Sequence, residues 1–324
     1  MRMGTVVALG AQVGGAKLAN GLYRLKGKDL AVVVNTGDDC EHLGLALSPD
    51  IDTMLYTLAG LADPMRGWEP SGETFSFFDM FKRLGGPDWL RLGDRALAAA
   101  VLRAEGLSAE RRLTEITLDF CRQLGIGARV LPMSDDPVRT LVRTQEGEMS
   151  FNEYFFQLQC VPVVESFHYA GADRAQLSDE VIDAIHSSDL EAIVICPSNP
   201  YHAIRPILEV QGMRELLRKH DAPIVAVSPI VGSRALRGSA AKMMREMGRE
   251  VSARGVAIEY YRQIDGFVID TEDEALAEGI RASGIDVLVT PTIMRTPENC
   301  AALAQGLLDF AQTVRERKAA AREE

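Results

Sequence analysis

Four aspartates, Asp38, Asp39, Asp50 and Asp52, fall within fifteen positions directly behind the apolar run Val32-Val33-Val34. Carboxylates gathered in this way are what a hard, oxygen-ligated cation such as Mg²⁺ takes, one or two at a time, with substrate phosphates completing its shell. They can also orient a hydroxyl or accept its proton. Each acid alone has a plain structural role, since Asp50 can cap a helix and Asp38 can make a turn. Four together behind a buried strand point to chemistry.

The elements that must hold these acids can be read from the same stretch. Val32-Val33-Val34 is a β-branched run of the kind buried on both faces of a sheet, and Asn35-Thr36-Gly37 ends it with turn chemistry. Ligands of an open parallel sheet gather beyond the carboxyl ends of its strands, so Asp38 and Asp39 are expected at the mouth of a crevice. Pro49-Asp50-Ile51-Asp52-Thr53 reads as a helix start with both acids in the first turn. Upstream, a strand over 3–9, the loop Gly10-Ala11-Gln12-Val13-Gly14-Gly15 and a helix over 16–25 complete a β-α-β unit. That loop is a candidate phosphate cradle: the helix N-terminus supplies N–H groups, Gly14 and Gly15 admit an anion closely, and Lys17 adds a charge. Its spacing fits neither G-x-G-x-x-G nor G-x-x-x-x-G-K-[ST], and a tight strand–helix turn explains it equally well.

Further along, Asp63-Pro64-Met65-Arg66-Gly67-Trp68 is a turn-rich loop in which Arg66 could grip an anion and Trp68 stack on a ring, or the two could simply pack. Helical periodicity follows over 73–84, 94–104 and 108–124, the last with Ser108 as N-cap, which predicts a helical insert at about 62–127. Strands are expected over 128–131 and 138–143. Residues 150–159 predict a helix with Phe151, Tyr154, Phe155 and Leu158 on one face, a core stripe first and a ring platform second. Alternating β and α then returns. A strand over 192–196 stops in Pro197-Ser198-Asn199-Pro200, and one over 223–227 stops in Ser228-Pro229-Ile230-Val231-Gly232. Ser198, Asn199 and Ser228 are therefore candidate nucleotide contacts, although each is also a turn former. Helices over 240–247 and 251–260, strands over 266–269 and 286–289, and a closing helix over 297–317 complete the chain, with a tail from 315 expected to fray. The pattern predicts an α/β, Rossmann-like fold: a mostly parallel sheet flanked by helices in one domain over 1–324, with an inserted helical subdomain.

Composition bounds the function. The 324 residues hold 35 basic and 46 acidic side chains, a net charge of −11, which argues against a nucleic-acid or anionic-membrane surface but leaves room for a phosphate-bearing small ligand. Five widely spaced cysteines (Cys40, Cys121, Cys160, Cys196, Cys300) without a C-x-x-C pair suggest reduced thiols and no zinc site. No signal-peptide segment and no membrane-length apolar run is seen, so a cytoplasmic protein is expected. The five histidines form no i,i+4 pair and no G-x-S-x-G elbow occurs, which gives a His-based metal site or a serine triad little support.

Taken in order, the blocks Val13-Gly14-Gly15-Ala16-Lys17-Leu18, Asn35-Thr36-Gly37-Asp38-Asp39, Pro49-Asp50-Ile51-Asp52-Thr53, Asp63 to Trp68, Pro87-Asp88-Trp89, Leu92-Gly93-Asp94-Arg95, Pro197 to Pro200 and Ser228 to Gly232 resemble the 2-phospho-L-lactate transferase (CofD) family of coenzyme F420 biosynthesis. The resemblance runs from residue 5 to about 300. It implies a Mg²⁺-dependent transfer of a phospho-three-carbon acid (2-phospho-L-lactate, phosphoenolpyruvate or 3-phosphoglycerate) from a guanosine diphospho-linked donor to the ribityl hydroxyl of the deazaflavin FO, with GMP leaving. By that resemblance Asp38, Asp39, Asp50 and Asp52 hold the metal and serve the acceptor hydroxyl. Gly14, Gly15, Lys17, Thr36, Ser198, Asn199 and Ser228 bind substrate, Arg66 or Trp68 closes the site, and the protein is a homodimer.

One departure stands out. The family usually carries two further glycines where this chain has Ala11 and Gln12, so Gln12 is expected to affect loop geometry or donor choice. Two other readings compete. A non-catalytic, nucleotide-sugar-binding regulator of the related gluconeogenesis-factor family shares the sheet but differs around Gly37-Asp38-Asp39 and lacks the Asp63–Trp68 and Pro87–Arg95 blocks. A nicotinamide-dependent dehydrogenase is suggested only by the opening β-loop-α unit, which lacks its fingerprint.

Overall fold

Seven short apolar stretches become the parallel strands of one sheet. They are β1 (Thr5–Gly10), β2 (Leu30–Val34), β3 (Arg129–Pro132), β4 (Leu190–Ile195), β5 (Ile224–Val227), β6 (Gly266–Ile269) and β7 (Asp286–Val289). The structure is a computed structural model and describes residues 4–235 and 239–323. The strand order is β7-β6-β5-β4-β1-β2-β3, with every neighbouring pair parallel. The chain winds outward from β1 in one direction through β2 and β3, then returns to the other side of β1 at β4. The strand order therefore switches between β1 and β4, and beyond the carboxyl ends of such strands is the crevice where ligands of open α/β sheets bind.

Both faces of the sheet are buried, as the unalternating Val, Ile and Ala of β1, β2 and β4 require. Val6, Ala8, Val32, Val34 and Val194 pack with Leu18 and Leu22 of α1 (Gln12–Lys26), Ile51, Met54 and Leu55 of α2 (Pro49–Leu58), and Leu307 and Ala311 of the closing helix Pro297–Glu323. Val7, Leu9, Val33, Ile193 and Ile195 pack on the other face with Tyr201, Ile204, Met243 and Val256. Residues 62–127 contain α3 (Ser76–Arg83), α4 (Asp94–Ser108) and α5 (Leu113–Gln123).

Several boundaries differ from expectation for tertiary reasons. Ser108 does not cap a helix; it ends α4, and α5 starts five residues later with Asp135 Oδ1 accepting from Thr114 N at 2.7 Å. The closing helix does not stop at 317. It continues to Glu323, and on the way Arg315 donates to Glu191 O at 2.8 Å while Lys318 pairs with Asp265 at 2.8 Å. The strand near 138–143 is not part of the parallel sheet. Arg139–Thr144 pairs antiparallel with Gly147–Ser150 and Val164–Ala170. The aromatic stretch behind it is only partly helical, one π-type turn over Glu153–Gln157. All five cysteines are free, and no helix among the described residues is long and apolar enough to cross a membrane.

Candidate active site

The turn after β2 is tied to the rest of the crevice by one amide. Asn35 Oδ1 accepts from Gly37 N at 2.8 Å, and its Nδ2 donates to Asp50 Oδ2 at 2.9 Å and to His202 O at 3.2 Å. A single buried side chain thereby joins the end of β2, the first turn of α2 and the segment after β4. Asp50 uses its second oxygen as well, accepting from Gln12 N at 2.8 Å. Burial, and then the charge of Asp38, push the Asp50 carboxyl up to about 6. Asp39 accepts from Ser48 Oγ at 2.7 Å. Burial pushes its carboxyl up to about 8 against the pull of Ser48 and of the Arg103 and Arg139 charges. Asp38 Oδ2 lies 2.9 Å from His202 Nδ1, and its backbone carbonyl accepts from Asn152 Nδ2 at 2.7 Å.

The four carboxylates do not meet at one point. No group of three or more His, Cys, Asp or Glu side chains among the described residues is placed to hold a metal ion. Asp52 is the clearest departure: it forms an ion pair with Arg103 of α4, whose side chain is only 1% exposed and also donates to Ala46 O at 3.0 Å. Asp52 thus faces the helical insert and anchors it. Asp50 has both oxygens engaged. Asp38 Oδ1 and Asp39 Oδ1, together with the hydroxyls of Thr36 and Thr140, are buried and lack a hydrogen-bond partner. Unpaired buried oxygens are costly unless something else meets them, so the two adjacent acids are the ones with capacity to spare.

The loops divide in a similar way. Gly14 and Gly15 lie in the first turn of α1, and their small size serves helix-to-loop contact. A Cβ on Gly14 would sit 2.4 Å from Pro197 O, and one on Gly15 2.6 Å from Ser198 Oγ. Ser198 Oγ donates to Ala11 O at 2.7 Å and accepts from Ala11 N at 3.2 Å, stitching β4's loop to β1's. Asn199 Oδ1 accepts from Tyr201 N at 2.9 Å, and Ser228 Oγ donates to Ile230 O at 2.8 Å. Lys17 donates to Met294 O at 2.9 Å. Each of these side chains has a structural partner. The Asp63–Trp68 loop does approach: a Cβ on Gly67 would touch Val13 at 2.6 Å, at the first turn of α1. Arg66 pairs there with Glu69, and Trp68 is 53% exposed.

Sequence reasoning missed His202, which is buried, stacks on Phe151 with centroids 3.9 Å apart, and binds Asp38. It also missed Ser48, Asn152 and Arg139. The one available signal was proximity, since His202 follows the Pro197–Pro200 block by two residues. Its partners lie 164 and 51 positions away in sequence, and no spacing rule reaches them.

A doubly wound sheet with buried acids and small polar loops at its switch point is an α/β scaffold of the class that handles nucleotides and phosphates. The description 2-phospho-L-lactate transferase CofD matches residues 6–294. A phosphoenolpyruvate transferase of Kitasatospora aureofaciens is 37% identical over 318 residues, covering 96% of this chain and 98% of the relative. A 2-phospho-L-lactate transferase of Methanococcoides burtonii is 37% identical over 286 residues, covering 88% and 92%. Among solved structures, a upf0052-family protein of Bacillus halodurans superposes with a TM-score of 0.62 at 15% identity, covering 95% of this chain and 99% of that one, a likeness of fold. The chain belongs to the 2-phospho-L-lactate transferase CofD family and is an enzyme of transferase type.

Proposed function

We propose that this protein acts in coenzyme F420 biosynthesis, moving a phospho-three-carbon acid from a guanosine diphospho-linked donor to the ribityl hydroxyl of FO. The acceptor oxygen attacks the phosphorus that bears the acid, the P–O bond to GMP breaks, and the hydroxyl proton is released. The observation that carries the reading, alongside family membership over 6–294, is the pair of unpartnered buried oxygens on Asp38 and Asp39 at the switch point.

Those two oxygens fit Mg²⁺, which takes one or two protein carboxylates and fills its remaining positions with water and substrate phosphate. Bound there, the ion would neutralise charge on the diphosphate. The chain's own residues do the positioning. Asp50 and Asn35 lock the α1 loop to the turn that carries Asp38 and Asp39, so the two halves of the crevice keep one geometry. The first turn of α1 offers N–H groups and its dipole to a phosphate. Arg66 and Trp68, on the loop that leans on Val13, are the groups to close over a bound substrate. Asp52 is left out of this chemistry. Relatives carry both transferase names at equal identity, so similarity does not choose the acid. Gln12 is the residue of this chain to examine for donor choice. The active unit is expected to be a cytoplasmic homodimer, checked by light scattering of the purified protein.

The test is mass spectrometry of the product formed from FO, Mg²⁺ and each guanosine diphospho-linked acid. One donor should give the FO phosphodiester and GMP, in a reaction abolished by EDTA. No product from any of the three donors would overturn the proposal.

A further inference from the structure

His202 stands where three segments meet, and both of its ring nitrogens are spoken for. Nδ1 lies 2.9 Å from Asp38 Oδ2, and Nε2 lies 3.2 Å from Nε2 of Gln12. Which nitrogen carries the proton follows from a bond made elsewhere. Gln12 Oε1 accepts from the backbone N–H of Asn199 at 3.0 Å. A backbone N–H can only donate, so the amide atom facing it is the oxygen, and the NH₂ group faces His202. That NH₂ can only donate in turn, so Nε2 of His202 is an acceptor and the proton sits on Nδ1. Nδ1–H therefore donates to Asp38 Oδ2. Stacking on Phe151, with 17° between the ring planes, removes the remaining freedom of the imidazole.

Gln12 holds this posture at some cost. Its φ is +58°, a region that residues with side chains seldom enter, and its own N–H is committed to Asp50. Three hydrogen bonds at one strained residue, one to Asp50 of α2 and two to the segment after β4, indicate that the conformation is held for what the side chain does.

We propose that Gln12 and Asp38 together fix the tautomer of His202, Gln12 by presenting a donor to Nε2 and Asp38 an acceptor to Nδ1, and that His202 in that tautomer is the positioning residue for Asp38. It occupies Oδ2 and leaves Oδ1 as the oxygen without a protein partner. Histidine and carboxylate partners that orient a metal-binding group commonly influence affinity or rate by about 10–100-fold. The inference rests on the assignment of Asp38 to Mg²⁺, but its first test does not.

That test is nitrogen-15 NMR of the imidazoles in the full-length protein, with the His202 signals identified by their loss in His202→Phe. The wild type should show Nδ1 protonated and Nε2 bare, and in Gln12→Gly the Nε2 signal should move as its hydrogen bond is lost while Nδ1 keeps its proton toward Asp38. A proton on Nε2 in the wild type, or an Nε2 signal unchanged in Gln12→Gly, would overturn the proposal. The second test is the Mg²⁺ concentration giving half-maximal rate. His202→Phe keeps the stacked ring and removes the donor, so it should raise that concentration about 10–100-fold, while His202→Asn, which restores an N–H, recovers part of the loss. The same Mg²⁺ dependence in wild type and His202→Phe overturns the positioning role. If instead the tautomer is locked as described but the wild-type rate ignores Mg²⁺ altogether, the metal assignment of Asp38 fails, and with it the positioning role, while the lock by Gln12 and Asp38 stands.

Discussion

The pair Asp52–Arg103 is the place where the structure departs furthest from a catalytic reading of the acids, and it makes a quantitative demand. Arg103 is 1% exposed, and its side chain is held by Asp52 and by Ala46 O. Burial raises the Asp52 carboxyl more than the neighbouring guanidinium lowers it, whereas at Arg103 burial is outweighed by the charged and hydrogen-bonded neighbours, Asp52 foremost, which hold the guanidinium above its usual range. Removing one partner then strands a buried charge, which costs about 3–5 kcal/mol, whereas replacing both with apolar groups of similar size is often neutral. With an unfolding entropy of about 2.1 cal/mol/K per residue, a chain of this length loses about 4–7 °C of Tm for that cost. Arg103→Met and Asp52→Leu are each expected to fall by that amount in thermal scans at one fixed rate, and the double variant Asp52→Leu/Arg103→Met to recover most of it. Turnover at 25 °C per folded molecule should stay within about threefold of wild type in the double variant, a change of under 1 kcal/mol in barrier. A double variant that is stable but inactive would refute the structural role and return Asp52 to the catalytic set.

Asp38→Asn is expected to remove Mg²⁺-dependent turnover by at least about 100-fold while moving Tm little, since one Asp38 oxygen has no protein partner to lose; full activity would contradict the assignment. For pH, the carboxyls of Asp39 and Asp50 are raised from 3.8 to about 8 and about 6. The folded state therefore holds protons there that the unfolded chain has released, and the stability they contribute is present below pH 4 and lost as pH rises toward 8. Cation-free wild type should thus lose more Tm between pH 6 and 8 than Asp39→Asn; parallel curves would show that Asp39 is not the group responsible. Gly14→Ala puts a methyl 2.4 Å from Pro197 O and is expected to destabilise by about 1–3 kcal/mol, read as a lower urea midpoint. Gln12→Gly should change the ratio of rates with phosphoenolpyruvate- and 2-phospho-L-lactate-bearing donors, and an identical ratio would dismiss a role in donor choice.

Periodicity made the scaffold legible. Val32 to Val34 and the runs ending at Cys196 and Val227 announce strands buried on both faces, and strands alternating with helices can be joined into a parallel sheet in few ways. The acids at the end of β2 and the start of α2 could be placed for the same reason, because strand ends and helix first turns are local features. What the acids do there could not be placed, because it depends on partners that local spacing does not encode. Asp52 is taken by Arg103, 51 residues on, and Asp38 by His202, 164 residues on. Gly14 and Gly15 show the same ambiguity: a glycine that admits a phosphate and one that admits a neighbouring carbonyl look alike in sequence, and here Pro197 O takes the space. Gln12 is the instructive exception. It is conspicuous in sequence because a side chain stands where the family usually carries a glycine. The structure supplies the reason such a residue can persist at φ +58°: its amide is bonded at both ends, and what it bonds to holds the aspartate on which the proposed chemistry depends.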